Sequence, residues 1–133
     1  MANIDLSLKP SLITQTPPTS TMTPDLTAGE DLPQGVPCYI KASDNKVYRC
    51  NGAAADEKAL CSGWTNKPYK AGQAVVLRHG VEFGSFSGLS GGALYYVGAT
   101  VGTVSDAPTT GGTLPIMQAT SATTARVFRS VGN

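Results

Sequence analysis

The chain of 133 residues predicts an all-β fold: a small β-barrel domain with at most one short helical turn and an extended N-terminal arm. Three observations carry this. Val75, Leu77 and His79 alternate with Ala74, Val76 and Arg78, and Val81 and Phe83 continue the period of two around Gly80. That pattern sends successive side chains to opposite faces of a strand. Gly84, Gly88, Gly91 and Gly92 then interrupt any regular element before Leu94 and Tyr96 resume the alternation. Glycine costs roughly 1 kcal/mol relative to alanine inside a helix, so no helix fits there. Finally, 15 glycines and 9 prolines in a Ser/Thr-rich texture imply many turns between short strands.

Taken in order, residues 1–33 read as an arm. Leu6, Leu8, Leu12 and Ile13 are apolar and loosely alternating, and TQTPPTSTMTPDLTAGEDLP follows. Pro10, Pro17, Pro18, Pro24 and Pro33 exclude a long helix and bias the preceding residues toward extended backbone. The Thr and Ser residues at 14, 16, 19, 20, 21 and 23 suit a strand added to another sheet. From Gln34 the texture changes, and residues 34–133 read as the β-rich domain. GVPCYIKASDNKVYRCNG predicts a hairpin with Val36, Cys38 and Ile40 on one face, a turn at 43–45 and Val47 on the return. AAADEKAL, residues 53–60, alone favours a helix but is too short for more than one turn. CSGWTNKPYKAG reads as a strand bearing Trp64 that ends at the Lys67-Pro68 bend. Beyond the central run, VGATVGTVS reads as a tight hairpin around Gly98 and Gly102, and DAPTTGGTLP as a polar loop. PIMQATSATTARVFRSV reads as two strands joined near 121–123. About eight short strands at this spacing indicate a sandwich or barrel.

Composition narrows the partners. One domain is the natural expectation at this length. The charged fraction of 14% is low against the roughly 25% of ordinary domains, which suits a surface covered by a partner. A formal charge of +1 gives no field to steer toward nucleic acid. No apolar stretch approaches the roughly 20 residues that cross a bilayer, so no membrane partner is expected. The N-terminus lacks a basic segment followed by an apolar core, so synthesis in the cytoplasm is expected. Cys38, Cys50 and Cys61 are an odd set without tight metal spacing, which favours buried small hydrophobes over a disulfide framework, although one pair is possible.

The search for catalytic groups finds none to build on. Gly88-Leu89-Ser90-Gly91-Gly92 matches G-x-S-x-G, but the nucleophile elbow needs a helix after the serine, and ALYYV is strand-like. His79, the only histidine, precedes Ser90 and has no second histidine with which to share a metal. No lysine follows Lys70, so the glycine-rich loop is not a phosphate loop. The carboxylate pairs Glu30-Asp31 and Asp56-Glu57 read as solvated charge. No enzyme, cofactor or metal is expected.

One resemblance is visible on the page. PCYIKASDNKVYRCNG, the run AGQAVVLRHGVEFG, then SGLSGGALYYVGATVGTVSDAPTTGGTLPI and the terminal ATSATTARVF together resemble the capsid decoration (cement) proteins of tailed bacteriophages. Their order is similar to that in the β-tulip head decoration proteins of the lambda type. The likeness covers about three quarters of the chain, and its SGL-x-x-G segment also recurs in phage fibre modules. It implies a non-enzymatic virion protein on the outer surface of the head, its partner the major capsid protein, assembled as a homotrimer that stabilises the shell. On that reading Leu6, Leu8, Leu12 and Ile13 grip the capsid, while Trp64, Val75, Leu77, Phe83, Leu94 and Tyr96 form the domain core or the trimer seam. Two rivals stand beside it. A receptor- or glycan-binding fibre module requires Tyr39, Tyr69, Tyr95 and Trp64 exposed at a tip, and a small hydrolase requires Ser90 beside His79.

Overall fold

A computed structural model describes residues 22–130. The protein is all-β, with ten strands and a single 3-10 turn at Glu57–Ala59 in that range. Five strands close a barrel: β1 (Met22–Ala28), β2 (Pro37–Ile40), β3 (Lys46–Arg49), β4 (Gly63–Thr65) and β5 (Ala74–Arg78), in the order β1-β3-β2-β4-β5. The other five form a second sheet: β6 (Val81–Phe83), β7 (Leu94–Val97), β8 (Val104–Ser105), β9 (Met117–Ala119) and β10 (Ala125–Val127), in the order β6-β10-β9-β7-β8.

The hairpin β2–β3 forms as the sequence dictates. Ile40 lies opposite Val47, Lys41 N–H donates to Lys46 O, and Asn45 N–H to Lys41 O. Asn45 takes φ +58°, which asparagine tolerates better than most residues. The Asp44 carboxylate accepts from Lys46 N–H at 3.0 Å and from the Tyr48 hydroxyl at 2.6 Å, which fixes the turn. The segment 53–60 yields only its one turn, capped by the Asp56 side chain accepting from Lys58 N–H at 2.9 Å.

Strand alternation divides the apolar residues between two cores. Cys38, Val47, Val75 and Leu77 pack with Ala28, Leu32 and Tyr69 in the barrel, and Val36 and Ile40 add to them. Residues of opposite parity leave the barrel outward. Tyr39 and Trp64 do so, and they meet Tyr95, Val97, Ile116, Met117, Ala125 and Val127 under the second sheet. Trp64 is the bolt between the layers. It is 1% exposed, its Nε1–H donates to Phe128 O at 3.1 Å, and Phe83 and Phe86 stand edge-on to it with centroids at 6.3 and 6.4 Å.

β1 closes the ring and redraws the expected boundary at residue 33. It runs antiparallel to β5, with Met22 opposite Arg78 and Thr27 opposite Ala74, and parallel to β3, with Thr27 opposite Lys46. Ala28 and Leu32 are buried in the barrel core. Residues 22–33 therefore belong to the β body, because a four-stranded half-barrel lacking them leaves the edges of β3 and β5 unpaired. The remainder of the expected arm, including Leu6, Leu8, Leu12 and Ile13, lies outside the described residues.

Candidate interaction surfaces

The glycine- and serine-rich segment after β6 is a fastened loop. Phe86 N–H donates to Thr123 O at 3.0 Å, Leu89 N–H to Ala122 O at 3.2 Å and Gly92 N–H to Ala119 O at 2.7 Å, so the loop is laced to the β9–β10 turn. Ser90 sits in its turn. Its N–H donates to the Tyr95 hydroxyl at 3.0 Å, and its carbonyl accepts from Ala93 N–H at 3.0 Å. The strand β7, not a helix, follows it. His79 is 4% exposed, and burial followed by the nearby Arg129 charge lowers its pKa. Neither of these two serine bonds goes to the histidine, whose lowered pKa favours the neutral imidazole.

The cysteines are all free and buried. Burial raises the Cys38 thiol pKa far above its ordinary value. A hydrogen bond with Cys61, reinforced by burial, raises that of Cys50. The Cys61 thiol donates to Gly63 O at 3.4 Å. The raised values keep Cys38 and Cys50 protonated as packing groups. Among the described residues no three His, Cys, Asp or Glu side chains converge as a metal site, and no helix is long and apolar enough to cross a membrane.

Of the expected core residues, Trp64, Val75 and Leu77 are fully buried, and Phe83 is half-buried against Trp64. Leu94 and Tyr96, expected in the domain core or the trimer seam, lie outside the buried core of this chain, Tyr96 being half-buried. Leu94 is 41% exposed, while Tyr95 and Val97, at 8% and 0%, face inward. The inward set of β7 is the opposite parity because Tyr95, not Leu94, closes its hydroxyl onto the Ser90 turn. The four aromatics needed at a fibre tip are buried as well: Tyr39 5%, Tyr69 6%, Tyr95 8% and Trp64 1%.

Three surfaces can take part in recognition. The outer face of the second sheet carries an in-register row of exposed side chains, Glu82–Arg126–Gln118–Leu94, across four strands. A depression of about 520 Å³ lies over Leu32 and Tyr69, rimmed by Arg49, Lys70 and Asp31. Its charges are matched: Glu30 accepts from the Arg49 guanidinium at 3.3 Å, and Asp31 lies 3.7 Å from Lys70 Nζ. A larger groove of about 600 Å³ is lined by the β6 residues together with Phe86, Gln34, Asn66 and Arg78.

Sequence reasoning missed one structural joint. Residues 106–115, expected as a plain polar loop, lock the barrel to the second sheet. Thr109 Oγ1 donates to Val97 O at 2.7 Å and accepts from Gly112 N–H at 2.9 Å. Gly52 N–H donates to Gly98 O at 2.8 Å, and Gly111 N–H to Gly52 O at 2.9 Å. A Cβ on Gly52 or Gly112 would collide with Thr109 and the Val97 carbonyl, so both positions need glycine for close approach. The Gly111-Gly112 pair is the sequence signal from which it could have been read. Compared with known protein families, with curated proteins and with solved structures, the chain finds no match.

Proposed function

We propose that the protein is a capsid decoration protein that binds the outside of a tailed-phage head and stabilises the shell, acting as a trimer whose N-terminal segments clamp the major capsid protein. The observation that carries this reading is the way the N-terminus is mounted. An uncharged run from Pro10 to Thr21, preceded by Leu6 and Leu8, leads directly into β1, a strand held on both flanks in the barrel wall. A low-charge body that follows an apolar and Thr/Pro-rich leader sequence suits strand-like docking on an exposed sheet edge. Trimerisation answers the weakness of one leader. Ordering opposes docking at roughly 1–2 kcal/mol per residue, and three linked leaders make the later contacts intramolecular at effective concentrations near the millimolar range. Leu94 and Tyr96, outward on the second sheet, are the residues offered to the trimer seam.

The test is co-sedimentation with mature phage heads, read together with sedimentation velocity of the free protein. The full chain is expected to pellet with heads and raise their thermal stability, and a chain shortened by residues 1–20 is expected to fold but not pellet. Unchanged head binding by the shortened chain, or a full chain that stays monomeric both free and on the shell, overturns the proposal.

A further inference from the structure

Asn51-Gly52 is the one Asn-Gly step in the sequence, and it lies inside the joint that locks the barrel to the second sheet. Asparagine followed by glycine is a chemically labile step, because glycine has no Cβ to crowd an attack by its own nitrogen. In that reaction the Gly52 amide nitrogen bonds to Asn51 Cγ. The side-chain Nδ2 leaves as ammonia and carries away the amide proton. Water then opens the five-membered imide at either carbonyl and gives aspartate or isoaspartate. One water enters and one ammonia departs, and no oxidant or cofactor takes part.

The closed joint withholds what this reaction needs. Gly52 N–H donates to Gly98 O at 2.8 Å, so the proton that has to depart is held. Asn51 Oδ1 accepts from Ala53 N–H at 2.9 Å, which fixes the side-chain amide. Main-chain bonds pin the step on both sides. Cys50 N–H donates to Pro37 O at 3.0 Å and Asn51 N–H to Lys58 O at 2.8 Å. Gly102 N–H donates to Cys50 O at 2.8 Å and Gly111 N–H to Gly52 O at 2.9 Å. Gly52 is buried, and Thr109 Oγ1 and the Val97 carbonyl fill the space beside its Cα. Turning the Asn51–Gly52 peptide toward the side chain breaks these bonds and runs into those atoms. Gly52 is also required there for close approach, so the labile step is built into the packing.

We infer that Asn51 is a latent self-modification site gated by the joint of Gly52, Thr109 and Gly111: closed, the joint preserves the amide, and open, it lets Asn51 convert to aspartate or isoaspartate. Isoaspartate lengthens the main chain by one carbon between Cys50 and Gly52. The bonds that Cys50 and Gly52 make to Pro37, Gly98 and Gly111 then cannot all re-form. An opening that runs to isoaspartate is therefore irreversible. This does not rest on the capsid reading.

Peptide mapping by mass spectrometry, on the full chain incubated in mildly alkaline buffer, reads conversion at Asn51. The folded chain is expected to convert at least about tenfold slower than the same chain unfolded in guanidinium, since only the opened fraction reacts. Thr109→Ala removes the hydroxyl beside Gly52 and is expected to speed conversion at least about threefold. Thr109→Ser keeps that hydroxyl and is expected to convert at the parent rate, with circular dichroism reporting that both variants are folded. A second measurement needs no variant: in the parent, the slowing of hydrogen exchange at the Gly52 amide should match the slowing of conversion within about threefold. Equal conversion in the folded and unfolded chains overturns the inference. So does a folded Thr109→Ala that converts no faster than the parent, or a Gly52 amide that exchanges at its intrinsic rate.

Discussion

Trp64 tests the two-layer architecture most directly. Replacing it with alanine deletes the largest fully buried side chain, two edge-on aromatic contacts and the Nε1–H bond to Phe128 O. Burial of a large aromatic in a packed core sets the cost at about 3–5 kcal/mol. Each ring pair accounts for about 0.5–1.5 kcal/mol of that. Against a total stability of about 5–15 kcal/mol for a domain, Trp64→Ala removes a large fraction of it. Trp64→Phe keeps a ring near Phe83 and Phe86 but leaves the Phe128 carbonyl, among the described residues, with a long contact of 3.8 Å from the Cys61 thiol. The expected cost is about 1–3 kcal/mol, the desolvation penalty of an orphaned acceptor. The assay is urea unfolding followed by far-UV circular dichroism, because Trp64 is the only tryptophan and fluorescence is lost with it. A shift in midpoint at unchanged slope reads as stability. A loss below about 1 kcal/mol for Trp64→Ala would refute the reasoning, since the second sheet would then hold to the barrel without its bolt.

Three further outcomes are expected. Val97→Ala, at a fully buried position of β7, costs about 1–3 kcal/mol, whereas Leu94→Ala on the outer face stays within about 0.5 kcal/mol; the same urea titration ranks them, and equal costs would overturn the parity of β7. His79 has a lowered pKa in the fold from burial and then Arg129, so the unfolded chain takes up its proton first as pH falls below about 6.5. Its contribution is complete above that pH and is lost as pH falls toward the folded value; thermal midpoints between pH 7 and 5 should fall less steeply in His79→Gln than in the parent. Gly111→Ala places a Cβ 2.8 Å from Ala59 Cβ and into the Ala54 carbonyl. Backbone has to move, so a loss of about 1–3 kcal/mol is expected by calorimetry, and an unchanged midpoint would show that the 106–115 joint is slack.

Much of the fold was legible where side-chain period and turn chemistry agree. The hairpin from Pro37 to Arg49 is one such place, with its alternation and its Ser-Asp-Asn turn. The run from Ala74 to Arg78 is another, and its inward residues Val75 and Leu77 were readable as such. β1 was hidden because MTPDLTA breaks the rules of a regular strand. Its register shifts between Thr23 and Leu26, and within that shift lie Pro24, which has no N–H to give, and Asp25 at φ +62°. A strand containing proline reads as linker unless its bulge is seen. In β7 the sequence Leu-Tyr-Tyr-Val is apolar at every position, so period alone could not choose a face. Tyr95 is held inward by the hydroxyl contact with Ser90, a relation five residues away that no alternation rule contains. The joint of Gly52, Thr109 and Gly112 was missed for a similar reason: its partners are distant in sequence and polar in composition.

The barrel is sealed by its own leading strand, and this decides how the molecule bears a load. β1 is flanked by β5 on one side and β3 on the other. Tension applied along its axis at Met22 is taken up first by the β5 ladder, which begins at Met22, and then also by β3 at Thr27 and Ala28. A body mounted this way transmits a tug on its N-terminal end into the whole ring of staves.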